Sequence, residues 1–418
     1  MNNIVVQKYG GTSVGSVEKI KKIATRIKGH KELGKKVAVV VSAMSGETNR
    51  LVALVNEANP EAPSRSYDMA VAAGEQVSVA LMAAALEAEG VKGVGLLAYQ
   101  LGIYTDGFHS KARIESIDCA KIHEIWESGG VPVIAGFQGV TREGELTTLG
   151  RGGSDTSAVA LACALNAELC EINTDVDGVY TSDPRVVKHA QRIQTMDFEV
   201  ALEMASLGSK VLHNRCVELA AKHGMPLVVR STFKEDEGIG TKIMRFNEKE
   251  KLEAPVVSGV TIDRNVVRLS VEGLPEKSQL ISNIFGSISE CGVNVDVIVH
   301  NQSHVPKLVN RKGTMTVGFT VGEIDSGKAV KTVEKLITDE NLLGARVSTE
   351  SGLAKVSVVG LGMISHPGVA SKVFAALAAK SIEIKMISTS EIKISCVISR
   401  AQADEAANCL HDIFIDVD

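Results

Sequence analysis

Paired cysteines, basic blocks and long apolar runs are all missing from this 418-residue sequence, and each absence closes off a class of protein. The seven cysteines are odd in number, scattered and without a Cys-x-x-Cys pair, so they read as the reduced thiols of a cytoplasmic protein. The ten histidines show no zinc-ligand spacing. Net charge is −5 with no lysine- or arginine-rich stretch, which argues against a nucleic-acid partner. No apolar run approaches the ~20 residues of a membrane span. Ala70–Ala88 comes nearest, but it carries Glu75, Gln76 and Glu87. The opening Met1-Asn-Asn-Ile-Val-Val-Gln-Lys8 reads directly as a strand, without a signal-peptide pattern.

Familiar nucleotide motifs are missing too. Gly10 and Gly15 are spaced as in a Walker loop, yet Ser16-Val17 follow where Lys-Ser/Thr would stand, and no Gly-x-Gly-x-x-Gly follows a strand. The acid-rich stretch Thr174–Arg185 lacks the closing glutamate of a calcium loop.

What is present is alternation. Ile4–Lys8, Val37–Val41, Val94–Ala98, Val131–Ala135, Ala167–Asn173 and Pro226–Arg230 are short apolar runs of strand type. Helical faces lie between them, as at Val17, Ile20, Ile23/Ala24 and Ile27, around Glu47–Glu57, and over Gln76–Glu89. Such alternation builds a mostly parallel sheet flanked by helices, an α/β fold that binds ligands at the carboxyl ends of its strands. Two charged patches, Lys234–Glu237 and Glu248–Lys251, flank the strand-like Thr241–Arg245 and mark a boundary. Beyond it lies a repeat: Gly273 and Gly362, Phe285 and Phe374, and Ile298 and Ile387 are each 89 residues apart. Two copies predict a pair of small α+β domains, too few for a solenoid. Val256–Ile262 is strand-like, fits neither copy, and is placed as an addition to the sheet of the second.

Chemistry concentrates on Thr147-Thr-Leu-Gly-Arg-Gly-Gly-Ser-Asp-Thr156. A glycine turn that opens a helix gathers backbone N–H groups and the positive helix end around one small volume. Ser154 or Asp155 is expected to cap that helix, with Ala158, Leu161, Ala162 and Leu165 on its buried face. Arg151 adds a fork suited to a carboxylate or phosphate. Lys8 ends a strand beside Gly10-Gly11, where it can neutralise phosphate charge.

Taken in order, Lys8-Tyr-Gly-Gly-Thr-Ser13, Val41-Ser-Ala-Met-Ser-Gly46, Gly74-Glu-Gln76, Leu149–Asp155, Thr174–Tyr180 and Ser209-Lys-Val-Leu212 resemble the motifs of the aspartate kinases. The resemblance runs over essentially the whole chain, to the monofunctional type, and the repeat resembles the tandem, ferredoxin-like ACT domains of that family. It implies an amino-acid-kinase catalytic domain over 1–245, a joining segment over 246–262, and ACT domains over 263–345 and 346–418. The implied partners are ATP with Mg²⁺, L-aspartate, a lysine or threonine effector, and further copies of the chain through the ACT domains.

By the family pattern Lys8 and Lys210 sit on the phosphates, with Tyr9, Gly10 and Gly11. Thr174, Asp175, Tyr180, Asp183 and Arg185 hold the nucleotide, and Asp155 orients Lys8 or a metal-bound water. Arg151 grips the α-carboxylate of aspartate and Glu75 its α-ammonium, with Ser42, Thr48, Gly152, Gly153 and Ser154 lining the site. The effector set is Glu276, Gln279, Asn294, Val295, Asp296 and His300; the second copy keeps Pro367-Gly368 before its helix where the first has Ser278-Gln279. Two rival readings stand beside this one: an acetylglutamate or glutamate kinase on the same fold, and a non-catalytic amino-acid sensor.

Overall fold

The computed structural model describes residues 3–208, 211–234, 240–247, 249–250, 255–303 and 314–415. The chain forms two compact units, Met1–Tyr180 with Arg192–Lys251, and Thr181–Gln191 with Leu252–Asp418.

The first unit is built on an eight-stranded sheet. Its strands are β1 (Ile4–Tyr9), β2 (Lys36–Val41), β3 (Gly93–Leu96), β4 (Val131–Ala135), β5 (Leu169–Thr174), β6 (Thr195–Asp197), β7 (Leu227–Ser231) and β8 (Thr241–Met244). The order is β6-β8-β7-β5-β1-β2-β4-β3, parallel from β7 through β3, with β8 antiparallel to β7. All of β1 is buried between its two neighbours, Gln7 and Lys8 included. Where the sequence predicts strand to Ala98, β3 stops at Leu96 and Ala98 opens a short helix.

Helix α1 (Val17–Glu32) is capped by Ser16, whose Oγ accepts from Lys19 N–H at 3.3 Å, and it buries Ile20, Ile23, Ala24 and Ile27. Val79, Met82 and Leu86 of α2 (Ala73–Ala88) join the same core. Contrary to the expectation that no stretch could span a membrane, Ser64–Ala88, two helices that meet at Ala72, is long and apolar enough by length and composition to cross one. Half of its most apolar stretch is buried within the protein, as in a core helix. A four-stranded sheet formed by Ile103–Thr105, Ile114–Ile117, Gln138–Val140 and Leu146–Thr148 leads into α3 (Gly153–Ala164). That helix was expected to bury one face; its small residues bury it from Thr156 through Ala162 on every side.

The second unit holds a six-stranded antiparallel sheet. Its strands are β9 (Gly259–Pro275), β10 (Val295–Ser303), β11 (Thr314–Val321), β12 (Arg346–Val359), β13 (Met386–Thr389) and β14 (Lys393–Ser399), in the order β10-β11-β9-β12-β14-β13. The two repeat copies therefore share one sheet. Gly259–Ile262 pair with Val359–Val356 in the second copy, and past an irregularity at Asp263–Arg268 the same strand pairs with β11 in the first. Helices α4 (Ser278–Glu290) and α5 (Ser326–Asp339) cover one core, around Ile284, Ile288 and Phe319. Helices α6 (Val369–Ala379) and α7 (Ala403–Phe414) cover the other. Val187, fully buried, belongs to that second core although it lies far away in sequence. The excursion carrying it is fastened by Thr181 Oγ1 to His411 Nε2 at 2.8 Å and by Asn408 Nδ2 to the Val186 carbonyl at 3.2 Å.

Candidate active site

The site forms where β1, β2, β4 and β5 end. Strand β1 is central: the chain passes to β2 on one side, and β5 adds on the other, which is the crevice that open α/β sheets use for ligands. Lys8, one residue from the end of β1, is buried, and its Nζ lies 2.6 Å from Asp155 Oδ1 in the first turn of α3. The helix is capped by neither Ser154 nor Asp155: Gly152 is the N-cap residue, without a side-chain cap bond. Asp155 has been drawn to Lys8 instead.

Both glycine turns are sterically committed. Gly152 has φ +67°, and a Cβ there would come 2.3 Å from His213 Cβ. A Cβ on Gly11 would meet the Ala43 carbonyl at 2.8 Å, so the loops after β1 and β2 touch backbone to backbone. Ser45 N–H donates to the Gly11 carbonyl at 3.1 Å and Gly10 N–H to the Asn173 carbonyl at 3.2 Å. The N–H groups of Gly11 and Thr12 have no backbone acceptor among the described residues. Ser42 follows β2, Thr48 lies in the first turn of the helix Glu47–Ala58, and both are half-buried. Ser154 is buried against Gly136 at the end of β4, while Arg151 is exposed on the turn.

Glu75 lies buried in the first turn of α2. Its Oε1 accepts from Ala43 N–H at 2.9 Å, whereas Oε2 is buried with no partner among the described residues. Burial pushes its carboxyl up to about 7, against the opposing pull of the Ala43 N–H. A cation beside Oε2 would complete the bonding and hold the carboxylate ionised.

Thr174 ends β5 and donates to Asp175 Oδ1 at 3.2 Å. Tyr180 donates to Asp177 Oδ1 at 2.9 Å, and Lys234 pairs with the same carboxylate at 2.5 Å, holding it below the usual range. Asp183 and Arg185 belong to the second unit, where they pair with each other at 2.7 Å. Lys210, with Ser209, lies outside the described residues.

Three features of the site were missed from sequence. Asp68 is fully buried and accepts from Thr148 N–H (3.0 Å), Thr148 Oγ1 (2.7 Å) and Ser110 N–H (2.9 Å), with His109 Nδ1 at 3.0 Å, anchoring the strand that leads into the glycine turn. Arg215 donates to the carbonyls of Leu149 (2.8 Å) and Ala112 (2.6 Å), bracing that turn from the far side. Asn173, fully buried beside Gly10, has neither amide atom partnered among the described residues. Only the break that an aspartate makes in the apolar stretch around Val71 could have signalled the first of these.

The effector residues fall in two places. Gln279 starts α4 and donates to Asn283 Oδ1 at 3.0 Å, with Glu276 just ahead of it. Asn294, Val295 and Asp296 follow the far end of that helix, about 20 Å away at 1.5 Å per residue. His300 is exposed further along β10. The Asp296 carboxylate, expected to face an effector ammonium, holds the ammonium of Lys355.

Glycine turns around a lysine–aspartate pair at the ends of parallel strands are an arrangement suited to phosphoryl transfer. Comparison with known proteins agrees. The Amino acid kinase family model matches residues 3–231 and an ACT domain model matches 356–414. The chain is 47% identical over 412 residues to an aspartate kinase of Stutzerimonas stutzeri (strain A1501), covering 98% of this chain and 97% of that protein. It superimposes on the crystal structure of aspartate kinase from Synechocystis with TM-score 0.84 at 29% identity, covering 98% of each chain. Two structures of E. coli aspartokinase III, each 26% identical, cover 99% of this chain and all of theirs. One, in complex with aspartate and ADP (R-state), gives TM-score 0.77; the other, with lysine and aspartate (T-state), gives 0.73. The chain belongs to the amino acid kinase family and, within it, to the aspartate kinases that carry an ACT domain.

Proposed function

We infer that the first unit moves the γ-phosphoryl group of ATP to the β-carboxylate of L-aspartate, giving 4-phospho-L-aspartate, the entry step to lysine, threonine and methionine, in the cytoplasm. The observation that carries the choice of substrate is Glu75: a buried carboxylate with one unpartnered oxygen suits a free α-ammonium and is wasted on an N-acetylated amine. The acceptor carboxylate is already ionised at pH 7, so no residue need remove a proton from it. Catalysis then rests on alignment and charge. Arg151 takes the α-carboxylate, Glu75 the α-ammonium, and Ser42, Thr48 and Ser154 complete the wall. Lys8, steadied by Asp155, and Lys210 neutralise charge on the transferring group, to which Gly10 and Gly11 allow backbone approach. Thr174, Asp175 and Tyr180 hold the nucleotide.

Mg²⁺ would be carried by the nucleotide phosphates, with few protein ligands, and would supply neutralisation of their charge. A hydroxamate assay with ATP and Mg²⁺ tests the reading: aspartate should turn over, and preference for N-acetylglutamate or glutamate, or no turnover at all, would overturn it.

The second unit is the amino-acid sensor, responding to lysine or threonine; the lysine bound by E. coli aspartokinase III supports this. Because α4 separates Gln279 from Asn294, one effector cannot touch both in a single chain, and a second copy set against the first would bring them together.

A further inference from the structure

A groove on the first unit, lined by none of the glycine-turn residues, has a charge pattern that phosphoryl transfer does not use. It encloses about 570 Å³ on the sheet face beyond the last turn of α1, a volume within the roughly 300–1,000 Å³ of small-molecule sites. Its wall carries His30, Lys35, Arg192, Arg230 and Lys242 against one carboxylate, Glu171.

Pairing does not balance them. Arg230 meets Glu171 at 2.8 Å, with both side chains under 10% exposed, and Lys35 meets Glu168 at 3.1 Å. Arg192 and Lys242 have no carboxylate partner among the described residues, and Nη1 of Arg192 is buried there without a hydrogen-bond acceptor. An open groove lined by basic side chains that carboxylates do not balance is the complement of an anion. The groove is also wired inward. Glu171 accepts from Gln7 Nε2 at 2.9 Å, Gln7 Oε1 accepts from Tyr9 OH at 3.1 Å, and His30 Nδ1 lies 2.8 Å from Gln7 Nε2. Tyr9 is the neighbour of Lys8.

We propose that this groove is a second ligand site, taking a small metabolite whose negative charges are clustered on phosphate or carboxylate groups and held by Arg192 and Lys242. Calorimetry on the full chain tests it, with ADP and aspartate saturating so that the catalytic site is filled, and with inorganic pyrophosphate and citrate as the two probes. One probe should bind at one site per chain. Lys242→Glu should weaken it at least tenfold, Arg192→Gln should also weaken it, and Lys22→Glu on exposed α1 should leave it unchanged. The tighter probe identifies the anionic group. Absence of saturable binding of either probe would overturn the proposal. So would equal affinity in Lys242→Glu and Arg192→Gln, equal weakening by Lys22→Glu, or binding seen only when ADP and aspartate are left out.

Discussion

Lys8 and Lys355 are both strand lysines, with side chains 11% and 4% exposed, and each faces an aspartate; they are otherwise unlike. Lys8 stands where β1 runs out, followed by two glycines, and its partner Asp155 is as enclosed as it is, at 13% exposed. Lys355 stands in the middle of β12, hydrogen-bonded on both sides to β9 and β14, and Asp296 is 51% exposed. Past the end of a strand the backbone leaves room and free N–H groups for a ligand, so a buried charge there can act on one. Within a strand, the same pair clasps β10 to β12. Burial alone does not distinguish the two lysines; position along the strand does.

The largest effect that would break this contrast is at Lys8. Lys8→Ala should lower kcat about 10²–10³-fold with little change in KM for aspartate, read by steady-state kinetics. A smaller loss is expected at Arg151. Arg151→Lys should raise KM for aspartate roughly 10–100-fold while leaving that for ATP nearly unchanged, because a point charge cannot reproduce a two-pronged grip.

Glu75 sharpens the contrast through pH. Its folded pKa of about 7 lies above the unfolded value near 4.5, so between those values the folded state binds more protons and stability falls as pH rises. The loss should be complete above about pH 7 and amount to no more than about 3 kcal/mol. Denaturation of the ligand-free protein between pH 5 and 8 should show this decline, and Glu75→Gln should flatten it while raising KM for aspartate. The smallest effect on rate is at the second pair. Asp296→Ala should leave kcat within a few-fold, relieve inhibition by lysine or threonine, and cost about 1–2 kcal/mol in chemical denaturation. That is less than the ~3–5 kcal/mol of a fully buried pair, because Asp296 is half in water.

Much of the first unit was legible because a strand between two others reads as an unbroken apolar run, as Val37–Val41 and Val131–Ala135 do. The glycine turn and Lys8 were legible as chemistry that needs close backbone approach. Long-range events left no local mark. Asp155 prefers a lysine from β1 to the helix end it could have capped, Asp68 gathers donors from two distant segments, and Val187 joins the core of the second unit, far from it in sequence. Motif order listed Gln279 beside Asn294, but the strand register sets them apart: Leu274, near the start of α4, is level with Gln302 through Met315, while Val295 is level with Val267 through Val321.

The central claim is that Asp155 acts on the reaction through Lys8, and a double-mutant cycle on kcat tests it most directly. Asp155→Asn alone should slow turnover by roughly 10–100-fold, and adding it to Lys8→Ala should cost no more than a few-fold beyond Lys8→Ala by itself. Losses that multiply in the double variant, or Lys8→Ala turning over at nearly the wild-type rate, would contradict it.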